Sequence, residues 1–131
     1  MNGDDVERWF GEYLAAFEAC GRGERETDSL LAYYGVPLLV TTDAGFLALT
    51  SGDAVVGAVR QQIDGMRDAA YDHTATLDAE VTVLNAASAL YRATFSRRRG
   101  DGSEVSRLTA SYLVTDGREG RRISVLAAHS A

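Results

Sequence analysis

The segments ALYRATFS (residues 89–96), SRLTASYLV (106–114) and ISVLAAH (123–129) decide the fold, because each separates into two faces at a period of two. In the first, Ala89, Tyr91, Ala93 and Phe95 alternate with Leu90, Arg92, Thr94 and Ser96. In the second, Leu108, Ala110, Tyr112 and Val114 alternate with Arg107, Thr109 and Ser111. The third puts Ile123, Val125, Ala127 and His129 on one side. Alternation sustained over consecutive segments marks strands of one sheet with one packed face. Asp101-Gly102 is a two-residue hairpin signal. Taken as a hairpin tip, it pairs Phe95 with Leu108 and Tyr91 with Tyr112, so inward residues meet inward residues.

Residues 71–84 read as a longer strand ahead of these. Tyr71, His73, Ala75, Leu77, Ala79, Val81 and Val83 share its inward parity, and Asp78, Glu80 and Thr82 its outward one. Upstream the period becomes helical. Val6, Trp9, Phe10, Tyr13, Leu14, Phe17 and Cys20 form one stripe over residues 5–20, capped by Asp4 or Asp5 and ended by Gly21. A short second helix is expected over 28–34, capped by Thr27 and stopped by Gly35 and Pro37. VPLLVT (36–41) and FLAL (46–49) flank Asp43-Ala44-Gly45 as a small hairpin. Ser51 or Thr50 caps a third helix to Ala69, whose apolar stripe is Val55, Val56, Val59, Ile63 and Met66.

With 131 residues, 46% hydrophobic and 24% charged, the chain reads as a single soluble domain, 1–131. A domain of this size buries roughly two-thirds of its unfolded surface. A net charge of −6 argues against a nucleic-acid partner, which concentrated positive charge would have to hold. No apolar run is long enough for a membrane span. Every basic residue is arginine, as codon bias in a GC-rich bacterial genome produces. Schiff-base catalysis and a P-loop lysine are therefore excluded. Cys20 is the single cysteine and reads as a packed thiol, and no Cys/His cluster has zinc spacing. No metal or cofactor is expected, and with no basic-then-apolar leader the expected compartment is the cytoplasm. Arg97, Arg98 and Arg99 read as a solvated turn offset by Asp101 and Glu104.

The chain resembles the nuclear transport factor 2-like superfamily, in its SnoaL-like and ketosteroid-isomerase-like branch. The carriers are the first helix with Trp9, Phe10, Tyr13 and Phe17, the segment LLAYYGVP (30–37), the stretch 49–59 opening the third helix, and ISVLAAHS (123–130). The likeness spans nearly the whole chain and rests on order, length and pattern. It implies an α+β cystatin-like fold: a cone-shaped curved antiparallel sheet of about six strands, covered by three helices from the N-terminal half. It also implies a pocket inside the cone and a homodimer through the outer sheet face.

The inward polar groups are then Tyr71, His73, Tyr91, Tyr112 and His129. A small apolar ligand would be enclosed by Trp9, Tyr13, Phe17, Val59, Ile63, Tyr91, Phe95 and Tyr112, with His129 as polar anchor. In a catalytic cone, His129 or His73 would act as base and Tyr91 or Tyr112 would stabilise a developing oxyanion. By register the two histidines lie on the order of 20 Å apart, too far for a pair. The family's isomerases and cyclases depend on a desolvated carboxylate inside the cone. The inward parities of the long strands hold none, and only Asp43 and Asp72 lie near strand ends. The leading reading is a cofactor-free small-molecule-binding domain. The alternatives are an isomerase, cyclase or dehydratase acting on a small apolar carbonyl compound, and a non-catalytic dimerisation module with a filled cone. Arg92, Thr94, Ser96, Arg107, Thr109 and Ser111, beside Asp78 and Glu80, make the outer face, and Leu84, Leu90 and Leu126 add apolar spots. Such a broad uncovered face suits an isologous dimer.

Overall fold

The computed structural model describes residues 1–130 and starts with helix α1, Gly3–Gly21. Its cap is Asn2 rather than Asp4 or Asp5: the Asn2 side-chain oxygen accepts from the Asp4 backbone N–H at 2.8 Å. Asp4 and Asp5 occupy the first turn, where negative charge suits the helix dipole. The expected second helix is a 3-10 helix, Thr27–Tyr33, with no side-chain cap. It leads into β1 (Tyr34–Thr42) and β2 (Gly45–Leu49). Helix α2, Gly52–Asp68, is capped by Ser51 Oγ, which accepts from Ala54 N–H at 3.1 Å. Then come β3 (Tyr71–Asn85), β4 (Ser88–Arg99), β5 (Glu104–Gly117) and β6 (Gly120–Ala128).

The strands form one six-stranded sheet in the order β2-β1-β6-β5-β4-β3. The architecture is the expected α+β cone, with one difference from an all-antiparallel sheet. The β1 strand runs parallel to β6, because the chain crosses through α2 and the meander before β6 returns beside it. The β4–β5 hairpin has the register expected from Asp101-Gly102, with Phe95 opposite Leu108 and Tyr91 opposite Tyr112.

Bulges change the facing of two other strands. In β6, Ile123 pairs with Val114 and Val125 pairs with Leu113, so Ser124 is an extra residue. An extra residue reverses parity beyond it. Leu126 and Ala128 therefore turn inward, opposite Tyr112 and Ala110, while Val125 and Ala127 turn outward. In β3, irregularities fall between Tyr71 and His73 and again between Thr76 and Asp78. Between them Thr74 and Thr76 share the face of Arg97 and Phe95, and His73 and Ala75 turn outward. From Ala79 onward the expected parity holds, with Ala79 opposite Ala93 and Val81 opposite Tyr91.

Helix α1 is held to the concave face by aromatic rings. Phe10, fully buried, stacks on Tyr91 at 3.8 Å between centroids and meets Tyr112 edge-on at 4.8 Å. Such pairs contribute about 0.5–1.5 kcal/mol each beyond the area they bury. The buried side of α2 is Val55, Val59, Ile63 and Met66, four of the five stripe residues. Cys20 is fully buried, as a packed thiol should be.

The end of α1 meets the start of β3 closely. A Cβ on Gly21 would lie 2.5 Å from Cε1 of the Tyr71 ring. That ring is itself buried, and its hydroxyl is tied to Thr74 Oγ1 at 2.7 Å. Overpacking of this kind costs about 1–3 kcal/mol, against a gain of about 1 kcal/mol in helix propensity. Gly21→Ala is expected to lower stability by up to about 2 kcal/mol in urea unfolding. An unchanged or higher midpoint would show that Tyr71 yields without cost.

Candidate functional site

Inside the cone lies a cavity of about 250 Å³. Its buried walls are Tyr13 and Phe17 from α1, Tyr34 from the start of β1, Phe95 from β4, and Ala110 and Tyr112 from β5. Nearer solvent it is lined by Leu14, Val40, Leu108, Leu126 and Ala128, and the exposed residues Thr42 and Gln62 mark its mouth. Leu126 and Ala128 line it because of the Ser124 bulge, and Thr74 because of the first bulge of β3.

Of the residues assigned to the ligand from sequence, Tyr13, Phe17, Phe95 and Tyr112 are brought together here. The others lie elsewhere. Tyr91 is buried under Phe10, and Val59 and Ile63 are buried on α2 and do not line the cavity. Trp9 packs edge-on against Tyr33 at 5.6 Å. His129 sits beyond the outward-turned end of β6, exposed, its Nε2 hydrogen-bonded to Ser111 Oγ at 2.7 Å. His73 is turned outward by the β3 bulge, with Nδ1 2.9 Å from Asp72 Oδ2. Both histidines were expected to face the cone, and the extra residues in β6 and β3 are what reverse them.

The residue that alternation would have found is Arg97. It continues the inward set Ala89, Tyr91, Ala93, Phe95 by one more step, yet reads as part of a solvated arginine run. Arg97 lines the cavity, with its guanidinium carbon 5.6 Å from the centre of the Phe17 ring, a cation–π distance. Gln62, with its amide oxygen toward the guanidinium, accepts from Nη1 at 3.2 Å and Nη2 at 2.7 Å. Among the described residues no carboxylate forms an ion pair with Arg97.

Residues 4–131 match a family model described as NTF2-like protein (DUF6841). The chain belongs to this NTF2-like family. No curated protein matches the sequence. Among solved structures, a domain of unknown function with a cystatin-like fold from Nostoc punctiforme is similar at a TM-score of 0.72 and 19% identity, over 98% of this chain and 77% of that one. An NTF2-like protein of unknown function from Shewanella oneidensis gives a TM-score of 0.70 at 16% identity, over 99% of this chain and 100% of that one. An NTF2-like protein with a cystatin-like fold from Novosphingobium aromaticivorans gives 0.69 at 14% identity, over 95% and 79%. At these identities the likeness is one of fold. The family description is NTF2-like and makes no mention of a SnoaL-like branch. Among the described residues of this NTF2-like domain, no helix is long and apolar enough to cross a membrane.

Three tyrosine hydroxyls complete the cavity's polar equipment. Those of Tyr13 and Tyr34 share a hydrogen bond of 2.5 Å. The Tyr112 hydroxyl contacts no hydrogen-bonding side chain among the described residues. Burial pushes all three phenols well above the ordinary tyrosine range; a neighbouring phenol's charge adds to the rise at each, while the hydrogen bond with Tyr13 holds Tyr34 back. The Arg97 charge, in the wall of the same cavity, opposes the rise at each of the three. A raised phenol favours the fold only while it stays protonated. Above pH 10, the ordinary tyrosine value, the unfolded chain loses protons that the folded one still holds. Stability is therefore flat below that pH and falls above it, by about 1.4 kcal/mol per pH unit for each such group. Urea unfolding between pH 8 and 11 is expected to show this decline, and Tyr112→Phe to make it shallower. An unchanged slope in the variant would refute the assignment.

Proposed function

We propose that this NTF2-like domain is a small-molecule-binding protein that holds its ligand inside the cone without chemically changing it. The observation that carries the reading is the cavity itself. Its 250 Å³ are walled by apolar and aromatic side chains with a few polar groups among them, the composition of a ligand pocket. An apolar cavity of about 150 Å³ accepts a benzene ring, so this one suits a single substituted ring or a short branched chain. The polar lining consists of tyrosine, threonine, glutamine and arginine. Proton transfer near neutral pH is best served by a group that titrates near that pH; burial moves the lining tyrosines further from it, and the two histidines face away from the cavity. That supports binding over an isomerase, cyclase or dehydratase activity.

Filling the cavity mouth should abolish binding and leave the fold intact. Ala128 lines the cavity and is half-buried, so Ala128→Phe has room to place a ring within it. Ligand-observed NMR with a panel of neutral one-ring and short-chain compounds is expected to find binders for the wild type and none for Ala128→Phe. Retained binding in the variant would place the ligand elsewhere.

A homodimer through the outer sheet face belongs to the same proposal. Leu90, Leu113, Val125 and Leu39 are successive register partners across β4, β5, β6 and β1, an apolar row on the face opposite the helices. All four are half-buried within a single chain, so a second copy would remove further apolar surface from water. Sedimentation is expected to give twice the chain's mass for the wild type and the chain's mass for Leu113→Glu. A wild-type monomer at micromolar concentration would overturn the dimer and leave the binding reading untouched.

A further inference from the structure

The ligand's chemistry can be narrowed from a charge inside the cone, that of Arg97. Arg97 is the only ionised side chain among the described lining residues. It is half-buried and stacked over Phe17. The chain has 19 acidic residues, and several arginines use them: Arg60 bonds Asp28, Arg107 bonds Glu104, and Arg121 bonds Asp116 at 2.7 Å. No such partner reaches Arg97, among the described residues. Its protein acceptor is a neutral amide, the Gln62 oxygen, which occupies one N–H on each terminal nitrogen. A guanidinium carries further donors in the same plane. Withdrawing a cation from water without a counter-charge is costly, and a cavity anion would offset that cost.

The neighbouring groups suit the same occupant. The Tyr112 hydroxyl lines the cavity uncommitted to any side chain, and the Tyr13–Tyr34 pair has one proton left to donate after its shared bond. These donors share one small cavity with the apolar side chains Leu14, Val40, Leu108, Leu126 and Ala128. A single guanidinium matches a singly charged, planar, two-oxygen acceptor, which it grips bidentately. A phosphate, with up to two charges and a tetrahedral shape, would call for more cations than one. The chain's net charge of −6 would repel a multiply charged ligand further.

We propose that the cone binds a small organic monocarboxylate with an apolar body, its headgroup held by Arg97 and the tyrosine hydroxyls. The proposal rests on the cavity being the binding site. It adds the ligand's charge, and the two ideas fail separately.

Matched acid and amide pairs test it: benzoate with benzamide, phenylacetate with phenylacetamide, and hexanoate with hexanamide. Their affinities would be measured by ligand-observed NMR and calorimetry on the full chain. For the wild type, at least one carboxylate is expected to bind tenfold or more tightly than its amide. Arg97→Leu and Arg97→Gln should reduce that preference to twofold or less, while the amides bind as before. Tyr112→Phe, which keeps the cation and removes one donor, should weaken the acids alone. This variant also serves if the Arg97 substitutions do not fold. Acids and amides bound equally by the wild type, or a preference that survives loss of Arg97, would overturn the carboxylate proposal and spare the cavity. Binding that survives Ala128→Phe, or no binding of acids and amides alike, would overturn both.

Discussion

Everything in this fold depends on one ring stack, Phe10 of α1 against Tyr91 of β4. A curved sheet exposes an apolar hollow that something must cover, and a helix laid across it needs anchors on its underside. Phe10 supplies one by stacking on Tyr91 and meeting Tyr13 and Tyr112 edge-on, at 5.2 and 4.8 Å. The stack fills one end of the cone solidly. One helical turn further along, Tyr13 and Phe17 pass over a hollow that is not filled, and the cavity begins there. The closed end and the open end of the cone are thus consecutive turns of a single helix.

The hollow has an unusual electrostatic character for an acidic chain. Its walls are phenols that resist ionisation, and its charge is one guanidinium without a carboxylate among the described residues. Neutral donors and a cation in a half-dry space form an environment that favours incoming negative charge. The acidic residues that give the chain its net charge lie on the surface and in ion pairs there, such as Glu104 with Arg107 and Asp116 with Arg121.

Much of this was legible in the residues themselves. The meander, its hairpin register and the apolar stripe of α2 follow from alternation, from Asp101-Gly102 and from helical spacing, which are local signals. Four of the cavity's aromatic residues, Tyr13, Phe17, Phe95 and Tyr112, follow from the same signals. What escaped was whatever depended on an extra residue in a strand. Segment 123–128 (ISVLAA) is nearly all apolar, so either parity gives a plausible core face and Ser124 leaves no trace in the pattern. His129 faces away because of that silent bulge, and His73 because of the one between Tyr71 and His73 in β3. Arg97 escaped for a different reason: its neighbours Arg98 and Arg99 disguise an inward position as a solvated run.

The Ser124 bulge also carries an evolutionary consequence. Beyond it, Leu126 and Ala128 face the hollow, while Val125, Ala127 and then His129 face away. Loss of one codon beyond it, with the bulge kept, would exchange the two sets at a stroke, bringing an imidazole toward the mouth of a chamber whose lining has none. Chamber chemistry in such a cone can therefore change by insertion and deletion, with no side chain substituted. Relatives compared by identity alone would look alike while differing in what they can do, and strand length near this point is the more telling character.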